Sequence, residues 1–168
     1  MKPVVSIIMG SASDWKIMEK AAIQLDEFKI PFEINALSAH RTPDEVENFA
    51  KNAASRGIKV IIAGAGMAAH LCGVIAAMTT IPVIGVPINA SLDGMDALLA
   101  IVQMPPGIPV ATVAINGSQN AAILAVQMIA TGDEKIAAQL SEFKENLKTK
   151  IVSANKELEQ YKFNYRVI

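Results

Sequence analysis

The sequence contains a single cysteine, Cys72, among 168 residues. No internal disulfide can form, and so low a count fits a reducing compartment. Positive charge is not in surplus: 15 Lys and Arg face 16 Asp and Glu, for a net charge of −1. Surfaces that bind nucleic acid or anionic membranes cluster Lys and Arg. Here the basic residues are scattered. Their densest group, Lys144, Lys148 and Lys150, alternates with Glu142 and Glu145 and reads as a solvated helix face. No nucleic-acid partner is expected. No unbroken apolar run reaches the ~18 residues of a membrane span, and the first residues hold too short an apolar stretch for a secretory signal. The expected location is the cytoplasm, away from the membrane. No repeat, low-complexity tract or linker interrupts the chain before residue 132.

What is abundant is apolar side chain. It makes up 52% of the residues before glycine is counted, against a usual ~45–50% with glycine included. The length suits a single domain with a real core, but a domain of this size cannot bury all of that surface in itself. The surplus predicts subunit interfaces.

Apolar runs alternate with helical patterns. Val4–Met9 reads as a strand, and Trp15, Met18, Ala22, Leu25 and Phe28 line one face of a helix reaching about Lys29. Phe32–Leu37 is a second strand. Thr42 can then cap a helix, with Pro43 in its first position, Glu45 closing a capping box and Gly57 ending it. Val46, Phe49 and Ala53 face inward. Lys59–Ala63, nearly all apolar, suits a central parallel strand. Gly64-Ala65-Gly66 should turn into a helix over Met67–Met78. Pro82–Val86, a helix over Met95–Val102, a strand over Pro109–Ile115 and a helix from about residue 120 to Ala130 complete five βα units. They imply a flavodoxin-like three-layer αβα fold, with a parallel sheet in the order 2-1-3-4-5. From Asp133 a charged amphipathic helix should run to about Tyr161. At ~42 Å it outruns such a domain, and its end is expected on neighbouring subunits. A helix folded along its own domain, or frayed at its end, fits the last two turns equally well.

Open parallel sheets bind ligands beyond the carboxyl ends of their strands. The first strand delivers Ser11, Ser13 and Asp14 there. The second delivers Ser38, His40 and Arg41, and the third Gly64, Gly66 and His70. Both histidines of the chain therefore fall at this rim. Gly10–Asp14 puts a glycine and two hydroxyls at a helix start, where backbone N–H groups bind anions. An ordinary cap by Ser13 explains the segment as well. Asp14 would repel phosphate and is better suited to sugar hydroxyls. Arg41 can grip a phosphate with two hydrogen bonds, and a histidine with pKa near ~6.5 can move protons at neutral pH. The residues alone leave open a packed rim histidine beside a surface charge.

Gly64-Ala65-Gly66-Met67-Ala68-Ala69 matches a dinucleotide fingerprint only weakly. It follows the wrong strand and lacks the acidic residue near position 85. Close backbone approach to a small flat ligand is the better reading. His70 and Cys72 point different ways on a helix and have no third ligand, so no metal site is expected. Cys72, in an apolar helix with no base beside it, reads as core.

The segments MGSASDW, SAHRTPD, GAGMAAHLCG, VIGVPI and IVQMPPGIPVATVAI occur in an order and at spacings that resemble the bacterial 5-(carboxyamino)imidazole ribonucleotide mutases. These are historically the catalytic subunits of phosphoribosylaminoimidazole carboxylase, and the resemblance covers roughly residues 4–130. It implies a cofactor-free homo-octamer with a flavodoxin-like core. The activity implied is transfer of a carboxyl group from the exocyclic nitrogen to carbon four of an aminoimidazole ribonucleotide, in purine (IMP) biosynthesis. It assigns His40 as the catalytic residue. Ser11, Asp14 and Arg41 become ribonucleotide ligands, with Ser13 and Ser38 beside them. Gly66, Ala69, His70 and Leu71 become the loop around the imidazole and the migrating carboxyl group. Arg41 after His40 separates the chain from related direct carboxylases, which usually carry lysine there. Met67, where many members have glycine, and Cys72, where many have proline, depart from the pattern. Both are read as lying beyond the residues that touch the ligand. Asn116–Gln119 also departs, at a rim loop. The competing functions are direct carboxylation with carbon dioxide and a non-enzymatic nucleotide-binding module. A phospho-accepting receiver would need an aspartate where Gly64 stands.

Overall fold

The computed structural model describes residues 1–167. Met1–Ile129 forms one compact unit, and the chain from Ala130 onward forms a second.

In the first unit five parallel strands lie in the order β2-β1-β3-β4-β5: β1 Val5–Met9, β2 Phe32–Ala36, β3 Val60–Gly66, β4 Val83–Ile88 and β5 Ala111–Thr112. The expected order is the observed one. The three central strands are buried almost throughout, because helices cover both faces of the sheet. On one face α2 (Pro43–Asn52), α3 (Leu71–Met78) and α4 (Met95–Val102) bury Val46, Phe49, Ile75 and Ile101 against Ile8 and Ile61. Burying each such side chain contributes about 1.5–3 kcal/mol. On the other face α1 (Trp15–Glu27) and α5 (Ser118–Ala130) are joined by polar contacts. The Ser118 hydroxyl donates to the Ile17 carbonyl (2.5 Å), and the Gln119 amide donates to Gln24 (2.8 Å). Gly64 leaves room for the Met18 side chain of α1. A Cβ there would stand 2.5 Å from Met18 Sδ.

Several boundaries differ from the sequence reading. Gly64–Gly66 is not a turn. β3 continues to Gly66, because Ala65 and Gly66 pair with Pro87 and Ile88. α3 accordingly starts at Leu71 and not at Met67. β5 is reduced to two residues at the sheet edge, and the chain beyond it is held by single bonds from Val113 to Gly85 and from Asn116 to Pro87. α2 stops at Asn52, five residues before Gly57, which supplies a left-handed φ of 93° in the turn that follows. The capping box is absent too, since the Thr42 side chain does not cap α2.

The second unit is mainly α6, Glu134–Leu158, whose 25 residues make it about 38 Å long. Asp133 caps it, accepting from the backbone N–H groups of Lys135 and Ile136. It ends three residues before the expected Tyr161. Leu147, Ile151 and Leu158 are exposed along it. Among the described residues no helix is long and apolar enough to cross a membrane.

Candidate active site

Three strand ends build the site. After β1 the chain is fixed by Gly10 N–H donating to Gly64 O (3.2 Å). Ser11 then takes extended backbone, and its hydroxyl accepts from Ser13 N–H (3.3 Å) and Ser13 Oγ (2.9 Å). Ser11, and not Ser13, is therefore the cap of the short 3-10 turn Ala12–Asp14. Partial burial raises the Asp14 carboxyl above its ordinary range. The Ser11 backbone, the Ser13 side chain and the Arg41 charge pull the other way.

After β2, Leu37 N–H donates to Met9 O (2.9 Å). The next loop closes on itself. Ser38 N–H donates to Thr42 Oγ1 (2.9 Å), and the Thr42 hydroxyl donates to Ser38 O (3.1 Å). Thr42 is spent on this loop, which is why it cannot cap α2. The loop projects His40 and Arg41 toward the first strand end. Arg41 Nη2 donates to Gly10 O (2.7 Å) and Nε to Ser38 Oγ (3.3 Å). These bonds engage two nitrogens of a group that carries five N–H donors. They orient the guanidinium across the ends of β1 and β2.

After β3 the chain turns sharply. Met67 adopts φ 56°, and His70 N–H donates to Ala68 O (2.8 Å). His70 occupies the position just before α3 but makes no side-chain cap. Its ring instead meets His40. His40 Nε2 and His70 Nδ1 are hydrogen-bonded at 2.8 Å, with the rings edge to face at 78°.

The three ends enclose a cavity of about 540 Å³, open to solvent. That volume suits a small-molecule ligand. Its wall includes His40, Ser11, Ser13, Asp14, Ser38, Arg41, Gly66, His70 and Leu71. Ala69 is not on it: 1% exposed, its side chain belongs to the core beneath. The wall also takes in Gly10, Ala39, Ala65, Ala68 and Ala90. Small side chains like these carry no chemical signal in a sequence. Met67, expected beyond the contact layer, lies on the wall and is 60% exposed. Gly66 does permit a close approach, but to protein: a Cβ there would stand 2.8 Å from the Cβ of Ala90. Cys72 lies off the wall, fully buried, with its thiol donating to Ala63 O (3.3 Å). Burial pushes its pKa up to about 12. Among the described residues no cluster of three His, Cys, Asp or Glu is placed to hold a metal.

A doubly wound α/β sheet with a histidine pair, an arginine and a ring of hydroxyls at its carboxyl edge has the architecture of an enzyme for a small anionic substrate. The chain belongs to the AIR carboxylase family, whose model matches residues 4–150. It is 53% identical to the N5-carboxyaminoimidazole ribonucleotide mutase of Bacillus subtilis, over 94% of this chain and 99% of that protein. It is 57% identical to the phosphoribosylaminoimidazole carboxylase of Schizosaccharomyces pombe over 94% of this chain, but spans only 29% of that longer protein. The crystal structure of Treponema denticola PurE superposes with a TM-score of 0.83 at 30% identity, covering 94% of this chain and 99% of that one.

Proposed function

We propose that the chain is an N5-carboxyaminoimidazole ribonucleotide mutase of purine biosynthesis, and that the cavity is its active site. The observation that carries this is His40, set between Arg41 and His70 in a cavity of about 540 Å³. A proton-transfer group and an anion-binding group thus line one space of ligand size.

In the proposed reaction the bond from the exocyclic nitrogen to the carbamate carbon breaks. Its electron pair stays on nitrogen, which takes a proton from His40, and carbon dioxide is released. Ring carbon four, made nucleophilic by the amine, then attacks the carbon dioxide. The hydrogen on that carbon leaves as a proton to His40, restoring it. Atoms balance without a redox step, and the reading includes no cofactor. Arg41, Ser11, Ser13 and Ser38 hold the ribonucleotide phosphate side, and Asp14 accepts from sugar hydroxyls. Gly66, His70 and Leu71 border the imidazole and the migrating group. Holding both fragments together avoids the entropy of a second encounter.

The proposal extends to a single α/β domain, a cytoplasmic location and a homo-octamer. Apolar faces support assembly. Leu92, Met95, Leu99 and Val102 are exposed on and just before α4, and Leu147, Ile151 and Leu158 on α6. Packing of both faces on neighbouring copies, α6 included, is part of the reading.

Direct carboxylation is the alternative that the name of the S. pombe relative keeps in view. Substrate with heavy carbon in its carbamate, converted in unlabelled bicarbonate, separates the two. The mutase gives mostly labelled product at early times and turns over aminoimidazole ribonucleotide poorly. Label diluted to the bulk level, with brisk turnover of the decarboxylated substrate, reassigns the chain as a direct carboxylase. Binding of the ribonucleotide without turnover of either substrate reassigns it as a non-enzymatic module.

A further inference from the structure

His40 and Arg41 ride on the loop 38–42, which lies outside any helix or strand. His40 is exposed, so packing does not fix its ring. What fixes the loop is its closure, for Ser38 and Thr42 are joined by three hydrogen bonds. Thr42 N–H donates to Ser38 O (2.8 Å), Thr42 Oγ1 accepts from Ser38 N–H (2.9 Å), and the Thr42 hydroxyl donates to Ser38 O (3.1 Å). Two of the three run through one hydroxyl. That hydroxyl stands just before Pro43, the first residue of α2. A threonine there ordinarily accepts from the first N–H groups of the helix and stabilises its start. Turned to Ser38, it leaves α2 without a side-chain cap. The loop gains a fixed span between two firm supports. Leu37 N–H on Met9 O ties one end to the sheet, and Val46 N–H on Thr42 O (3.1 Å) ties the other to α2, whose Val46 side chain is in the core.

We propose that Thr42 is a positioning residue of this site, its hydroxyl clasping the loop so that His40 is held in place for both of its proton transfers. The inference rests on the mutase reading. One ring must give a proton to the exocyclic nitrogen and then take one from carbon four. A misplacement of about 1 Å can cost 100-fold in such a step. An exposed loop that is free to move pays ordering entropy each time it reaches the reactive geometry. A loop closed beforehand has that ordering built into the fold. Arg41 has a further anchor in Gly10 O, at another strand end. Loss of the clasp therefore falls on proton transfer more than on phosphate binding.

The test compares wild type, Thr42→Val, Thr42→Ala and Thr42→Ser as full-length chains. Valine keeps the branched shape and loses the hydroxyl, alanine loses both, and serine keeps the hydroxyl. The readouts are kcat on the carbamate substrate, calorimetric affinity for aminoimidazole ribonucleotide, and melting temperature. The valine and alanine variants should lose roughly 10- to 100-fold in kcat, with affinity changed by no more than a few-fold. The serine variant should stay within a few-fold of wild type in both. Valine and alanine variants that turn over like wild type overturn the clasp and leave the mutase reading standing. A serine variant that falls as far as valine overturns it too, because the hydroxyl is then not what matters. Affinity lost in step with kcat, or failure of both the valine and alanine variants to fold, makes Thr42 a residue of fold stability alone and overturns its positioning role. Wild type that does not convert the carbamate substrate overturns both readings.

Discussion

His40 Nε2 and His70 Nδ1 share one hydrogen bond of 2.8 Å between the loop after β2 and the turn before α3. Two N–H groups cannot face each other at that distance, so a single hydrogen lies between the rings and the tautomer of one fixes that of the other. His40→Asn should lower kcat by about 100- to 10,000-fold, the usual loss when general acid–base help is removed, with ribonucleotide binding largely kept. His70→Asn should act as the loss of a positioning group. kcat should fall by roughly 100-fold or less, with KM changed far less than kcat. Steady-state kinetics check both. His40→Asn turnover within a few-fold of wild type removes that residue from the mechanism.

Arg41 meets Gly10 and Ser38 within the protein and is expected to meet phosphate in the complex. Arg41→Ala should weaken binding of the ribonucleotide by about 1.5–3 kcal/mol, the worth of a charge-assisted contact. It should weaken binding of the nucleoside far less. Calorimetric titration with both ligands decides. Equal losses show that Arg41 serves only the loop.

Asp14 presents a trade between stability and binding. Its folded carboxyl is raised, chiefly by desolvation, so the folded state holds this proton more tightly than the unfolded chain does. At neutral pH the charged carboxylate therefore opposes folding, and the opposition fades as pH falls through the folded value. Asp14→Asn should hold or raise the melting temperature at neutral pH, with the difference shrinking in acid. It should also weaken ribonucleotide binding. A variant that melts clearly lower at neutral pH contradicts the desolvation account.

Cys72 should be inert to alkylation in the native protein, because burial holds its pKa at about 12 and the thiolate is the nucleophile. Unfolded thiols ionise near ~8.5. Between that value and the folded one the unfolded chain loses a proton that the folded chain keeps, so the thiol's contribution to stability declines as pH rises. Cys72→Ala should flatten this alkaline decline and keep activity, at a cost of about 1 kcal/mol for the lost atom. Denaturant titrations from pH 8 to 10 provide the measurement. Abolished chemistry in a folded variant contradicts the core reading.

Patterns that depend on neighbours in sequence were legible without coordinates. Runs such as Val4–Met9 and the helical spacing of Met18, Ala22 and Leu25 specify which face is buried, because side-chain direction follows backbone period. Alternation of strand and helix then confines the topology, since parallel crossovers have a preferred hand. The placing of His40, Arg41 and His70 at the carboxyl ends of their strands follows from that alternation, whereas the order 2-1-3-4-5 was one of the orders it allows. Short-range signals misled where a group had two possible partners. Thr42 has the residues of a capping box around it, yet its hydroxyl closes the loop onto Ser38. The glycines at 64 and 66 look like a turn, yet they let β3 lie close to Met18 and to the loop after β4.

The sequence by itself determined the class of fold, the central strands and the rim that carries the polar groups, because each depends on periodic burial along a single element. Only the tertiary structure decided how those groups meet. The hydrogen bond between His40 and His70 spans thirty residues of chain. Ala69 is withdrawn into the core and Met67 stands on the wall, in a turn where residue 67 takes a left-handed φ of 56°. That torsion is imposed from both sides, by strand pairing with β4 and by the turn into α3, and such contacts between distant segments leave no period in the sequence to read.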